Sequence, residues 1–124
     1  MYALLGPQGN TQAYIEKNRI VDAESLQLMG ILLGNCVFDC SGKMKGKFLD
    51  NVLYAMDGKI LAKGNVMPPV PAVEELLDQH REEGAVVLQS ITNHTDTWIF
   101  ISEVWSGQTL QKVLPVRMYE IAGN

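Results

Sequence analysis

Asn51-Val-Leu-Tyr54-Ala-Met-Asp57-Gly58-Lys-Ile-Leu-Ala62-Lys63 reads as a tight β-hairpin, two short apolar runs turning back on each other at Asp57-Gly58. Asp-Gly between such runs is among the strongest short-range hairpin signals, because glycine takes the positive φ of the turn without a steric penalty. The arrangement recurs upstream. Sixteen residues earlier, Asn35 opens Asn35-Cys-Val-Phe38-Asp-Cys-Ser41-Gly42-Lys-Met-Lys-Gly46-Lys-Phe48. Seventeen before that, Asn18 opens Asn18-Arg-Ile20-Val-Asp-Ala-Glu-Ser-Leu-Gln-Leu-Met-Gly30-Ile-Leu32, and a first copy starts mid-unit at Leu5-Gly-Pro-Gln8-Gly9-Asn-Thr-Gln-Ala13-Tyr-Ile15.

Three positional rules unite the copies. A turn glycine (Gly9, Gly42, Gly58) follows an apolar or aromatic residue (Leu5, Phe38, Tyr54) by four positions. A small residue (Ala13, Gly46, Ala62) follows the glycine by four more, and an asparagine (Asn18, Asn35, Asn51) stands at each junction. Asparagine tolerates positive φ best after glycine, so Lys17-Asn18, Gly34-Asn35 and Asp50-Asn51 read as two-residue turns. The small residue marks a place where backbones converge. The second copy departs from the pattern: it lacks the turn glycine, and Gly30 falls one position late, which implies a turn longer by one residue. Residues 2–64 are therefore expected to form eight short strands as four tandem antiparallel β-hairpin repeats.

The x-Asn junctions and the aromatic-x-x-x-Gly-x-x-x-small spacing resemble the four-fold beta-flower domain, a small bacterial module of four successive hairpins around a pseudo-four-fold axis. The resemblance covers about half the chain and implies a fold, but no activity. Phe38-Asp39 with Gly42 also suggests the tyrosine-aspartate repeat of large surface and toxin proteins, although that repeat is longer and occurs in long arrays.

Beyond the repeats, Pro68-Pro69 and Pro71 make residues 65–71 a stiff connector that no β-ladder tolerates. Over Pro71 to Glu83, Val73, Leu76, Leu77 and His80 fall on one helical face. Pro71 suits the first helical position, and Gly84 suits the C-terminal cap. Residues 72–124 are thus expected to hold one amphipathic α-helix and a three-stranded antiparallel sheet of Ala85–Thr92, Thr97–Trp105 and Thr109–Ile121, docked on the repeats or on a second subunit. The fold class is mostly β (α+β). In the middle strand Trp98, Phe100 and Val104 would face one side, and Ile99, Ile101 and Trp105 the other. One helix covers only one of those faces.

Composition narrows the function. Among 124 residues, 10 Lys/Arg stand against 14 Asp/Glu, for a net charge of −4, and the excess acid lies after residue 64. Nucleic acid needs a basic footprint, so it is not the expected partner. No apolar run is long enough to span a bilayer, and the first residues lack the basic-then-apolar order of a secretory signal. Two cysteines fit a reducing compartment, so a cytoplasmic protein is expected.

The candidate sites are sparse. Cys36 and Cys40 would lie about 13 Å apart on an unbroken strand, beyond the roughly 7 Å that a disulfide spans; they read as structural thiols. Lys43, Lys45 and Lys47 alternate along one strand and read as a solubilising face. His94 and Asp96 share a turn and form a candidate pocket pair, though no nucleophile accompanies them. Trp98, Phe100 and Trp105 are the candidate interface. No cofactor or metal motif is present. The expectation is a non-catalytic interaction or structural module that self-associates, as a homodimer or with a protein partner. The alternatives are a small-molecule binder or minor enzyme with a pocket between the halves, and a toxin, immunity or phage-related accessory protein.

Overall fold

The computed structural model describes residues 1–68, 70–71, 74–75, 81–91 and 98–116. Its first half is a closed barrel of eight consecutive antiparallel strands. These are β1 (Tyr2–Leu5), β2 (Thr11–Glu16), β3 (Arg19–Asp22), β4 (Leu28–Leu33), β5 (Cys36–Asp39), β6 (Met44–Leu49), β7 (Val52–Ala55) and β8 (Ile60–Val66). Closure comes from β1 pairing β8, with Tyr2 opposite Val66 and Leu5 opposite Lys63. The last strand therefore runs on to Val66, into the stretch expected as connector.

The repeat is visible as register. Each hairpin has the same pair at its waist: Leu4 opposite Ala13, Ile20 opposite Gly30, Val37 opposite Gly46 and Leu53 opposite Ala62. Immediately past each pair the ladder slips by one residue, so every second strand carries a bulge. The bulged residues are Gln12, Met29, Lys45 and Leu61. Leu4, Ile20, Val37 and Leu53 are at most 1% exposed. Burying each such side chain contributes about 1.5–3 kcal/mol. The small partners leave room for them, as expected in an eight-stranded barrel whose bore only just accommodates side chains.

The two kinds of turn are as the sequence requires. Junction turns hold Lys17, Asn18, Asp50 and Asn51 at φ of 48°, 61°, 49° and 64°, with Gly34 at 62°. Asn18, Asn35 and Asn51 each accept, through the main-chain carbonyl, the N–H of Leu32, Phe48 and Gly64 respectively. In the hairpin turns Gly9, Gly42 and Gly58 have φ of 80–86° and donate to the carbonyls of Gly6, Asp39 and Ala55. The second hairpin puts Leu26 in that role, at φ 58° with its N–H on Asp22 O, so the longer turn keeps the geometry without glycine.

Among the described residues the expected three-stranded sheet does not form. Past the barrel the chain forms two short helices that are described from end to end, α1 (Arg81–Ser90) and α2 (Leu110–Val113). Ala85–Ser90, expected as strand, belongs to α1. Gly84 and Val87 are buried, Ile91 is half-buried, and Val86 and Leu88 are exposed, which is a helical period. Val87 packs on Leu28 and Ile31, and this contact overrides local propensity. Gly84 is not a cap but a contact point, since a Cβ there would come within 3.2 Å of Arg19 Nε. Thr109, expected to open a strand, instead caps α2, its hydroxyl accepting the Lys112 N–H at 3.2 Å. Residues 98–104 form no ladder, and Trp105 makes one isolated parallel bridge to Ile60. Of the proposed helix over 71–83, Pro71, Glu74, Glu75 and residues 81–83 are helical, the last three as the start of α1. Val73, Leu76, Leu77 and His80 lie outside the described residues, as do Thr92, Thr97 and residues 117–121.

Candidate functional site

The bulges prepare one end of the barrel. An extra residue in a strand bends it and re-aims its side chain. Met29 and Leu61 thereby join one apolar cluster with Leu110 and Leu114 from the C-terminal segment, while Gln12 lines a recess beside Leu110. Leu110 and Leu114 lie one helical turn apart and are 2% and 0% exposed. They stopper the mouth of the barrel, and Gly30 lies beneath Leu114: its absent Cβ would lie 3.5 Å from Leu114 Cδ2. Gln111, between them, donates from its side-chain amide to Gln12 O at 3.2 Å.

Asp22 is the buried acid at this mouth. Burial raises its carboxyl pKa. Hydrogen bonds from the Ser25 backbone and hydroxyl, the Gln111 side chain and the Glu24 backbone outweigh that effect and hold it below the ordinary carboxylate value. The Ser25 N–H and hydroxyl reach Oδ2 at 2.8 and 3.0 Å. A lowered folded pKa gives stability that is present above the unfolded value, about 3.9, and is lost as pH falls through the lower folded one. Asp22→Asn is accordingly expected to cost about 1–2 kcal/mol at neutral pH. Urea midpoints should show the gap between wild type and variant closing below about pH 4.

The wall next to the stopper is made by residues 98–106. This segment runs along the fourth hairpin, with Ser102 N–H on Gly58 O at 3.0 Å, Ile60 N–H on Val104 O at 2.8 Å and Ser106 N–H on Ile60 O at 2.7 Å. A Cβ on Gly58 would collide with the Phe100 carbonyl oxygen. Ile99 turns inward, at 9% exposure. Trp98 and Phe100 turn outward, 76% and 84% exposed, with their rings edge to face at 6.4 Å. Ile101 and Val104 extend the patch at 53% and 58%, so Ile101 lies outside although strand alternation would turn it in. Trp105 is half-buried, with Lys63 Nζ 5.7 Å from its ring centroid.

The remaining candidates separate. His94 and Asp96 lie outside the described residues. Cys36 and Cys40 form no disulfide; Cys36 is buried, and the Cys40 thiol donates to Leu28 O at 3.5 Å. The three lysines do not share one exposed face. The bulge at Lys45 breaks the alternation, Lys45 lies 3.9 Å from Asp39 Oδ2, and Lys47 is 8% exposed. Asp39 repeats the role of Asp22, accepting from Ser41 and Lys43 in its own turn. Among the described residues no three His, Cys, Asp or Glu side chains are grouped to hold a metal ion, and no helix is long and apolar enough to cross a membrane. Comparison with known proteins adds no relative. No family model, curated protein or solved structure matches the chain. The stoppered mouth and the outward aromatic strip must be interpreted on their own chemistry. Sequence reasoning missed the mouth because the bulges that build it leave no residue signature, whereas Leu110 and Leu114 at i and i+4 were a helical signal available to be read.

Proposed function

We propose that the protein is a non-catalytic interaction module that self-associates through the strip formed by Trp98, Phe100, Ile101 and Val104. The observation that carries this reading is the pair of outward aromatic rings held on a segment whose other side is anchored to the barrel. Contiguous apolar patches beyond a few hundred Å² on a monomer mark interaction surfaces. An exposed Trp and Phe offer about 150–250 Å² each, and with the two half-exposed aliphatic neighbours the strip supplies more than half of the ~800 Å² per partner of a standard interface. A second copy is the favoured occupant. The strip bears Glu103 alone as a charge, so identical surfaces meet without a cluster of like charges. Trp and Phe set edge to face across a two-fold axis are self-complementary.

The four-fold recurrence of waist pair, bulge and turn supports assigning the barrel to the beta-flower type, with the repeats as scaffold and the added C-terminal segment as the working surface. Cys36 and Cys40, which form no disulfide, fit a reducing, cytoplasmic setting.

Light scattering behind size exclusion tests the self-association. The wild type should run as a dimer at tens of micromolar, and Trp98→Ser/Phe100→Ser as a folded monomer. Two aromatic hot spots of about 2 kcal/mol or more should weaken association at least ~30-fold. A wild type that stays monomeric to about 100 µM, or a dimer that survives loss of both rings, would refute it.

A further inference from the structure

We infer that the recess between the barrel mouth and the C-terminal segment is a binding site for a small neutral ring bearing one hydrogen-bond acceptor. The inference is independent of self-association, since the recess and the strip share none of their lining residues. The recess has a volume of about 160 Å³. An apolar cavity of about 150 Å³ accommodates one benzene-sized ring, so the site takes a single ring and excludes two fused ones. Leu61, Trp105 and Leu110 supply its apolar walls, and Gln12, Ser106 and Thr109 its polar rim.

Among the described residues no charged side chain lines it. Lys63 Nζ stands 5.7 Å from the Trp105 ring but is not part of the lining, so an entering carboxylate or ammonium would lose its water without a counter-charge in contact with it, and the ligand is neutral. The acceptor follows from the two hydroxyls. Ser106 Oγ accepts the Gln108 N–H at 3.1 Å, and Thr109 Oγ1 accepts the Lys112 N–H at 3.2 Å. Each hydroxyl keeps its own hydrogen to donate at the exposed rim of the recess. A phenol, an aromatic aldehyde or a cyclic ketone combines the required ring and oxygen. One wall and one rim residue owe their place to the fold's irregularities: Leu61 and Gln12 are bulge residues, so the barrel has built the recess at the place where its repeats depart from regular alternation.

The test is a two-dimensional amide NMR titration of the full chain with p-cresol, benzoate and 2-naphthol. The expected result is saturable shifts at the Trp105 indole N–H and at the amides of Leu61 and Gly107 with p-cresol, the Trp98 indole unmoved. Benzoate and 2-naphthol should bind at least ~10-fold more weakly, the first for charge and the second for size. Leu61→Phe, which fills the recess, should lose p-cresol, and Leu61→Ala, which enlarges it, should tighten 2-naphthol by ~10-fold or more. The proposal is overturned by an absence of saturable shifts to about 10 mM, by benzoate binding as well as p-cresol, or by a folded Leu61→Phe that still binds. Should Leu61→Phe lose the dispersed spectrum of a folded chain, the Leu61→Ala arm decides, and no gain for 2-naphthol overturns it.

Discussion

Gly46→Ala is expected to lower the free energy of unfolding by about 3 kcal/mol or more, at the upper end of what overpacking a well-filled interior costs. The added methyl has nowhere to go. Built on the Gly46 backbone, it would collide with the carbonyl oxygen of Tyr54, a main-chain atom that cannot swing aside as a side chain can. Relief requires β6 and β7 to separate, and that pair is held by ladder bonds from Gly46 opposite Ala55 to Leu49 opposite Val52. Parting these strands would also open the closed barrel on both sides. Typical domains have only about 5–15 kcal/mol in total, so the variant should unfold at a markedly lower urea concentration. The control is Ala62→Gly at the equivalent waist position. It removes a methyl that already fits and should cost only about 1 kcal/mol, mostly chain entropy. If Gly46→Ala costs no more than Ala62→Gly, the convergence of backbones at the waist is not what the glycine serves.

That waist is legible in the sequence, and the reason is physical. Positive φ and close backbone approach can be met by few residue types, so Gly42, Gly58, Asn18 and Asn51 leave marks that survive without an alignment. The one-residue excess of the second hairpin is equally readable, because its small residue, Gly30, is displaced by one. Closure is not. It depends on β1 meeting β8 from opposite ends of the repeat array, and Tyr2 opposite Val66 is an unremarkable pair on paper.

The C-terminal half departs from its sequence reading for a different reason. Val86 and Val87 have strand propensity, but the contact of Val87 with β4 is worth more than the few tenths of a kcal/mol that separate valine from better helix formers. Period is the better guide, as Gly84, Val87 and Ile91 recur at helical spacing while a strand would bury every second residue. For the candidate interface the sequence is informative about direction and silent about company. Alternation places Trp98 and Phe100 opposite Ile99, and their exposures agree, yet the anchoring of this segment to Gly58 and Ile60 has no local signal. Nor does the recess, since Gln12 and Trp105 are brought together only by closure of the barrel and the return of the chain over its mouth.

Leu114→Ala is expected to cost about 2–5 kcal/mol, as large as a deletion in the barrel's own core, although the residue lies far beyond the last strand in sequence. Leu114 is fully buried and clusters with Leu4, Ile20, Val37 and Leu53, the residues of the waist. Truncation would leave a void directly above Gly30, and the barrel cannot collapse into it, because the closed ladder fixes its radius. Leu110→Ala should cost a similar amount. The double variant should cost less than the sum of the two, since neighbours in one cluster share a single cavity once α2 lifts away. The denaturant slope distinguishes two ways of losing the stopper. An unchanged slope with a lower midpoint means that α2 unfolds together with the barrel as one unit. A reduced slope with little change in midpoint means that the segment detaches beforehand, and amide exchange should then become fast at Leu114 while staying slow at Leu4 and Leu53. The first outcome is expected, because the wall segment ties α2 to the fourth hairpin through backbone hydrogen bonds at Gly58 and Ile60, so the stopper cannot leave without stripping that hairpin's outer edge.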